Sequence, residues 1–210
     1  MPAETDLGEF MRKLLLSLGA LAATPASAQE LALPEGDVLE LRADGDLNGD
    51  GVNDIAYLAH NEESRALTVM LSVKGEFDVD YRPEVLILDS TTTPNVLAIE
   101  GNVLKLEELS SGTTVFSSTL RFRYDGRGEH MRLIGMDASI SSRTFAHDGF
   151  EASWNLLNGD ATTRELRLNT GAGDEAYKPG PQRSFKRRVR PQWLSESPDP
   201  ETFLEEMRDG

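Results

Sequence analysis

Nine residues near the start of the chain carry oxygen-bearing side chains at positions that suit a metal ion. The stretch reads Asp46-Leu47-Asn48-Gly49-Asp50-Gly51-Val52-Asn53-Asp54. Oxygen donors stand at its first, third, fifth and ninth positions and a glycine at its sixth, which is the spacing of a calcium loop. Carboxylates this close repel one another by about 1 kcal/mol per pair at 4 Å in water, and a bound cation removes that repulsion.

The spacing predicts the ligands of one Ca²⁺ ion. Calcium takes about six to eight oxygen ligands, from carboxylates, amides, backbone carbonyls and water. The predicted ligands are the side chains of Asp46, Asn48, Asp50 and Asp54 and the backbone carbonyl of Val52. Gly51 stands where the chain must turn sharply, and we expect a positive φ there, which a Cβ would oppose.

The residues after the loop distinguish it from a helical EF-hand. An EF-hand needs a Glu at its twelfth position, where this chain has Tyr57. The run Ile55 to His60 is short and apolar, which is typical of a buried strand. The stretch Gly45 to Ala56 therefore resembles the calcium loop of FG-GAP and VCBS-type repeats, in which D-x-[DN]-x-[DN]-G-x-x-D runs into an apolar strand. The resemblance implies an EF-hand-like calcium loop that leads into a β sheet.

FG-GAP and VCBS repeats normally recur, whereas this chain holds one good copy. Leu157-Asn158-Gly159-Asp160 repeats the letters of residues 47–50, but Arg164 stands where the last carboxylate would be, so we predict a hairpin turn there. The order of elements also resembles exported bacterial proteins of unassigned function, through the single loop, the aromatic-basic strand 120–124 and the hairpin 154–159. That likeness implies a single-domain β protein and supplies no catalytic residues.

The N-terminal part has the pattern of a secretory signal peptide. A basic start at residues 11–13 precedes the apolar run 14–23, and Ala28 ends a set of small residues that suits a cleavage site. The apolar run is shorter than the ~20 residues of a membrane-spanning helix. We therefore predict that residues 1–28 are an N-terminal extension plus signal peptide. The mature chain would be periplasmic or secreted and would have no transmembrane segment.

Composition excludes several functional classes. The chain has no cysteine, which excludes disulfides, thiol catalysis and cysteine-ligated metals. Its formal net charge of −15 makes nucleic acid a poor partner. One basic run departs from this balance, and it contains Lys178, Arg183, Lys186, Arg187, Arg188 and Arg190. We favour a strand or strap across the acidic body over a contact for anionic lipid, polysaccharide or acidic protein.

Strand signals dominate the remaining sequence. Leu120, Phe122 and Tyr124 alternate with arginines, as in a half-solvated antiparallel strand, and Gly101 marks a hairpin turn. Because the sequence has no βαβ alternation, we expect a mainly β fold, an antiparallel sandwich or partly open barrel with a short C-terminal helix. Residues 29–195 would form this calcium-loop domain. Residues 196–210 would form a helix or tail, with Asp199 as its N-cap and Pro200 in its first turn.

No catalytic motif of established spacing occurs in the sequence. It has no H-E-x-x-H pair, G-x-S-x-G elbow or P-loop. Three histidines are isolated from one another: His60, His130 and His147. We therefore expect an exported, non-catalytic protein whose calcium is structural and whose surface contacts an envelope protein or glycan. The alternative is an envelope polysaccharide hydrolase whose carboxylate pair is assembled by the fold.

A carbohydrate-binding domain is a further hypothesis, because such domains expose aromatic rings on one sheet face. The candidate rings are Trp154, Trp193 and Tyr124. Packing in the core or against the C-terminal tail is the favoured interpretation of these three side chains.

Overall fold

Antiparallel strands form two sheets in the computed structural model of the chain. The structure describes residues 31, 33–75, 78–88, 92–171 and 175–210, and the predicted signal peptide lies outside these residues. The predicted mainly β fold is confirmed: the two sheets are antiparallel, they do not close into a barrel, and a short helix ends the chain.

The first sheet is a meander of four strands in chain order. Its strands are β1 (Val38–Gly45), β2 (Asp54–His60), β3 (Arg65–Lys74) and β4 (Val79–Leu88). Gly45 at the end of β1 pairs with Asp54 at the start of β2. The predicted calcium loop is therefore the β1–β2 connection, and its two ends are neighbours in the sheet.

The second sheet is wider and again runs mostly in chain order. Its strands are β5 (Thr92–Glu100), β6 (Val103–Ser110), β7 (Thr114–Asp125), β8 (His130–Ser142), β9 (Gly149–Asn155), β10 (Asp160–Leu168), β11 (Tyr177–Pro179) and β12 (Arg183–Lys186). Both β11 and β12 pair with β10, so part of the basic run forms the edge of this sheet. The predicted hairpins at Gly101 and Gly159 are present, as β5–β6 and β9–β10.

Apolar side chains from both sheets form one core. Leu58, Leu67 and Val69 of the first sheet and Leu104 and Phe122 of the second have 0% exposure. Burying a side chain of this size stabilises the fold by about 1.5–3 kcal/mol. Along β7 the inward positions alternate with half-exposed ones, as the sequence predicts for this strand.

A helix, α1 (Pro200–Asp209), closes the end of the core. The Asp199 carboxylate accepts hydrogen bonds from the N–H groups of Glu201 and Thr202, which is the predicted N-cap. Phe203, Leu204 and Met207 are the buried face, and the helix packs against β8 and β9. Within the described residues, no helix has the length and apolarity needed to cross a membrane.

Candidate metal site in the β1–β2 loop

The Asp46 carboxylate organises the start of the loop. Its Oδ1 accepts from the N–H groups of Gly49 and Asp50 at 2.7 and 3.2 Å, and its Oδ2 accepts from the Gly51 N–H at 2.9 Å. Gly49 and Gly51 have φ values of +80° and +83°, a left-handed conformation that glycine adopts without a Cβ penalty. The positive φ expected at Gly51 is therefore present.

Side-chain oxygens of the first and third loop positions converge on one N–H group. The Asp50 nitrogen lies 3.2 Å from Asp46 Oδ1 and 3.0 Å from Asn48 Oδ1. The Asp50 Oδ1 in turn accepts from the Val52 N–H at 2.7 Å. The fold thus brings Asp46, Asn48 and Asp50 into one short coil through local hydrogen bonds.

Asp54 lies at the base of the loop and is 0% exposed. Its Oδ2 accepts from the Leu47 and Asn48 N–H groups at 2.6 and 3.1 Å. Its Oδ1 accepts from the Ser72 N–H at 2.6 Å and from the Ser72 hydroxyl at 2.8 Å. An ionised carboxylate offers about four lone-pair sites, so these donors saturate Asp54 and make it the anchor between the loop and β3.

Ser72 on β3 is a site residue that the sequence analysis missed. Its side chain is buried, with 2% of the residue exposed, and its Oγ lies 3.3 Å from Asp50 Oδ1. Its backbone carbonyl accepts from the Asn48 Nδ2 at 2.8 Å. A polar residue inside the apolar run 66–73 was the available signal, but nothing local connects it with a loop about twenty residues earlier.

The three loop carboxylates lack a positive partner in the part of the chain that the structure describes. Among the residues that the structure describes, no Lys, Arg or His nitrogen lies within 4.0 Å of the carboxylates of Asp46, Asp50 or Asp54. By contrast, Asp44 just before the loop pairs with Arg42 at 2.7 Å. Lys74 reaches the loop, but its ammonium group donates to the backbone carbonyl of Asp50. The described residues therefore do not neutralise the negative charge of the loop by a direct ion pair.

The negative charges of the loop carboxylates help to raise the pKa of Tyr81 on β4. Its hydroxyl lies 3.4 Å from the backbone carbonyl of Asn53, to which it donates. Burial is the largest cause of its raised pKa, followed by the negative charges of Asp54, Asp44 and Asp50. Arg42 opposes the shift. The Tyr81 phenol is therefore a natural reporter of charge at the loop.

The donor set of the loop fits a hard cation such as calcium. Counting about four lone-pair sites per carboxylate and two per carbonyl oxygen, Asp46 and Asn48 each keep one acceptor site and Asp50 keeps its Oδ2. The candidate ligands are thus a mixed set of carboxylate, amide and carbonyl oxygens, the kind of oxygen set that calcium accepts in proteins. A grouping of three or more His, Cys, Asp or Glu side chains arranged for a metal does not occur among the described residues.

The basic run divides into paired and unpaired side chains. Lys186 pairs with Asp160 at 2.6 Å, and Arg187 pairs with Glu206 at 2.6 Å while its guanidinium lies 4.8 Å from the centre of the Trp154 ring. The remaining four are exposed, and among the described residues no carboxylate lies within 4.0 Å of them. These four are Lys178, Arg183, Arg188 and Arg190.

The aromatic candidates for carbohydrate stacking are packing residues. Trp154 is 5% exposed and stacks on Phe203 of α1, with ring centres 6.2 Å apart and an angle of 14°. Trp193 is half-buried with its ring 5.8 Å from that of His130, and Tyr124 packs against the core. The favoured interpretation of Trp154 as a core residue is therefore correct.

A polar groove crosses the outer face of the second sheet and contains two carboxylates. It has a volume of about 280 Å³ and is lined by Asp137 on β8, Glu151 on β9 and several hydroxyl side chains. Asp137 pairs with Arg121 at 2.5 Å, and Glu151 lies 3.4 Å from Arg164.

Comparison of the chain with protein-family models, with curated proteins and with solved structures gives no match. Arguments about function therefore start from the geometry and charge of the sites described above.

Proposed function

We propose that this chain is an exported, non-catalytic β-domain protein that binds one Ca²⁺ ion in an FG-GAP/VCBS-type loop at residues 46–54. One observation carries the proposal: oxygen-bearing side chains of the loop converge within a single coil, and its three carboxylates have no direct cationic partner among the described residues. A divalent cation supplies the missing positive charge.

The proposed ligands differ in the part they play. Asp46, Asn48, Asp50 and the Val52 carbonyl would offer their oxygens directly. Asp54 would join them by exchanging one of its four hydrogen-bond donors for the ion. Since Asp54 and Asp50 both contact Ser72, a bound ion would tighten the attachment of the β1–β2 loop to β3.

The proposed role of the ion is structural. Binding to the folded state alone raises its stability by about 2.7 kcal/mol when free calcium is a hundred times the Kd. Calcium sites of extracellular modules often have Kd values of about 10⁻⁴–10⁻³ M, which suits a periplasmic or secreted location after cleavage near Ala28. Such an affinity allows the ion to stabilise the fold without acting as a signal.

The proposed surface function is contact with an envelope protein or glycan. Two surfaces support it. One is the set of basic residues without a carboxylate partner among the described residues, Lys178, Arg183, Arg188 and Arg190, and the other is the polar groove over β7–β10. Hydroxyl, carboxylate and guanidinium groups in that groove are suited to hydrogen bonding with sugar hydroxyls. The basic residues favour an anionic partner in a protein whose net charge is −15.

Thermal unfolding of residues 29–210 with calcium or with a chelator tests the calcium proposal. We expect calcium to raise the Tm of the wild type by about 5–10 °C, the equivalent of about 2.7 kcal/mol in a domain of this size. Asp46→Ala and Asp50→Ala should remove this difference, because each deletes a ligand. Asp160→Ala, in the turn with the same Leu-Asn-Gly-Asp sequence, is the matched control and should retain it. Equal wild-type Tm values in calcium and chelator would reject the proposal.

A second candidate function is hydrolysis of an envelope polysaccharide, and the pair Asp137 and Glu151 in the polar groove is the observation that favours it. Glycosidases place two carboxyl groups about 5–9.5 Å apart, and diagonal neighbours on adjacent strands fall near this range. Incubation with cell-wall and capsular polysaccharides, followed by a reducing-end assay, tests it. Activity lost in both Asp137→Asn and Glu151→Gln would establish hydrolysis over the non-catalytic proposal.

A further inference from the structure

The second sheet is wider than the layers that cover its inner face. The first sheet has four strands, and α1 packs mainly against β8 and β9. Where β8, β9, β10 and β12 extend beyond the end of α1, the uncovered part of this face forms a groove of about 810 Å³. We call it the end groove. Its volume lies within the range of about 300–1,000 Å³ found for small-molecule sites.

The floor of the end groove is apolar. Ile140 of β8 pairs directly with Phe150 of β9, and Met207 of α1 borders them. Phe185 on the edge strand β12 forms one wall and is 44% exposed, although it is a large apolar side chain. The groove therefore has two apolar parts, the Ile140–Phe150 pair and Phe185, and the sheet register places Arg183, which lies across from Thr163, between them.

Three arginines line this groove, Arg167, Arg183 and Arg208. Arg164 borders it too, but its guanidinium donates to Gln182 and lies 3.4 Å from Glu151 in the polar groove on the other face. Arg183 is exposed and, among the described residues, has no carboxylate within 4.0 Å. Arg167 and Arg208 have only solvent-exposed partners, Glu165 at 3.3 Å and Asp209 at 3.7 Å.

Two acids line the end groove, and one of them already accepts a backbone hydrogen bond. The Asp148 Oδ1 accepts from the Leu168 N–H at 2.7 Å, and the other acid is Glu165. Because none of the described carboxylates pairs with Arg183, its guanidinium can donate to an anionic head group, and Phe185, two residues further along β12, can contact the tail.

We propose that the end groove binds a fatty acid, with its carboxylate on Arg183 and its alkyl chain along Ile140, Phe150 and Phe185. The apolar floor of the end groove and the arginines that line it together match an anion with an apolar tail. A neutral sugar would make no use of the apolar floor. This proposal names a ligand class for the anionic contact in the proposed function, and it rests on that contact. It requires no residue of the calcium loop.

Calorimetric titration of residues 29–210 with decanoate, in the presence of chelator, tests this binding. We expect saturable binding of one decanoate per chain. Decyltrimethylammonium, with a similar tail and the opposite charge, and acetate, with the same head group and no tail, should not bind. Vesicles of phosphatidylglycerol are a fourth ligand, which tests whether the protein binds an anionic membrane surface instead of a single amphiphile. Binding to vesicles without binding to decanoate, or equal binding of the cationic amphiphile, would overturn the proposal.

Matched variants locate the site. Arg183→Gln should weaken decanoate binding about tenfold, as expected for a lost charge-assisted hydrogen bond. Phe185→Ser should weaken it by removing the apolar wall, and both residues are exposed, so unchanged thermal unfolding in the same buffer checks the fold. Arg188→Gln is the control, because Arg188 is an exposed basic residue outside the groove. An equal loss in Arg183→Gln and Arg188→Gln would refute the site.

The chelator separates this proposal from the calcium proposal. Decanoate binding in chelator together with no effect of calcium on Tm would reject the metal site alone. A calcium-dependent Tm with no decanoate binding would reject the end groove alone.

Discussion

Two turns with the same four residues, Leu-Asn-Gly-Asp, have different roles in this protein. The first, residues 47–50, lies in the predicted calcium loop, and the second, residues 157–160, connects β9 with β10. Locally they are alike: Gly49 and Gly159 both have a φ of +80°. In each, the Asn side-chain oxygen accepts from the N–H two residues later, at 3.0 Å for Asp50 and 2.8 Å for Asp160.

Their surroundings differ. Leu47 is 2% exposed and Leu157 is 48% exposed. Asp160 pairs with the ammonium group of Lys186 on β12, whereas the Asp50 carboxylate contacts the Ser72 hydroxyl and has no cation among its described neighbours. The same local turn is therefore neutralised by a lysine in one place and left with free carboxylate oxygens in the other. Local sequence sets the backbone shape of both turns, and residues distant in the chain decide whether the turn carboxylate has a cationic partner.

Removing the Asp54 carboxylate, which anchors the first loop, should have the largest effect on the free energy of unfolding. Asp54→Ala leaves the buried N–H groups of Leu47 and Ser72 and the partly buried N–H group of Asn48 without their acceptor, and we expect a loss of at least about 3 kcal/mol in the free energy of unfolding. Urea denaturation in chelator measures it without any contribution from calcium. Asp160→Ala, whose side chain is 57% exposed, should cost less than about 1 kcal/mol. Similar losses in both variants would show that the two turns are energetically equivalent.

The two glycines should respond differently to a methyl group. Gly49→Ala should cost about 1 kcal/mol, because an L-residue is strained at this φ but nothing lies within 4 Å of the new Cβ. Gly159→Ala should cost about 1–3 kcal/mol more, because its Cβ would lie 2.6 Å from the Arg187 carbonyl oxygen. Urea denaturation of both variants compares them. Equal destabilisation would contradict the close approach of residues 187–189 to the second turn.

Charge at the first loop should be visible in the titration of Tyr81. Burial and the charges of Asp54, Asp44 and Asp50 raise its pKa above the ordinary value of 10.0, so Asp50→Asn should lower it and Asp160→Asn should not. Because the folded-state pKa is the higher one, the stability linked to this phenol is complete below pH 10 and is lost as the pH rises through the folded-state pKa. Tyrosinate absorbance, with Tyr81→Phe to identify the signal, measures the change. An unchanged Tyr81 titration in Asp50→Asn would exclude the Asp50 charge as a cause of the raised pKa.

The Lys186–Asp160 ion pair of the second turn should contribute least to the free energy of unfolding. Lys186 and Asp160 have side-chain exposures of 69% and 57%, so we expect Lys186→Ala to cost between about 0 and 1 kcal/mol, and less at high salt. Chemical denaturation at low and high ionic strength measures the difference. A larger loss in the free energy of unfolding that does not depend on ionic strength would indicate that the lysine stabilises the fold by packing of its methylene groups rather than by its charge.

Much of the fold could be predicted from local signals. The Asp199 N-cap, the Gly101 hairpin and the alternation of Leu120 with Phe122 each depend on residues a few positions apart, and each is present. The coil of the calcium loop is local in the same sense, since Asp46 bonds to N–H groups three to five residues later. Its metal ligation stays a prediction.

Contacts between distant residues were not predictable. Ser72 meets Asp50 and Asp54 only because β3 pairs with β2, and Phe203 reaches Trp154 only when α1 docks on the second sheet. A single sequence gives the type of each strand but not the side chains that the sheet register brings opposite one another.

By itself, the sequence determined the strand periodicity, the turn positions, the helix cap and an oxygen-rich loop with calcium spacing, because these follow from backbone preference and residue spacing over a few positions. Tertiary structure alone decided that Asp54 is the saturated anchor of that loop, that Asp160 is neutralised by Lys186, and that the wider second sheet leaves a cationic, apolar groove beyond α1. These features depend on which distant strands become neighbours. Packing of the whole chain, rather than any short segment, sets that choice.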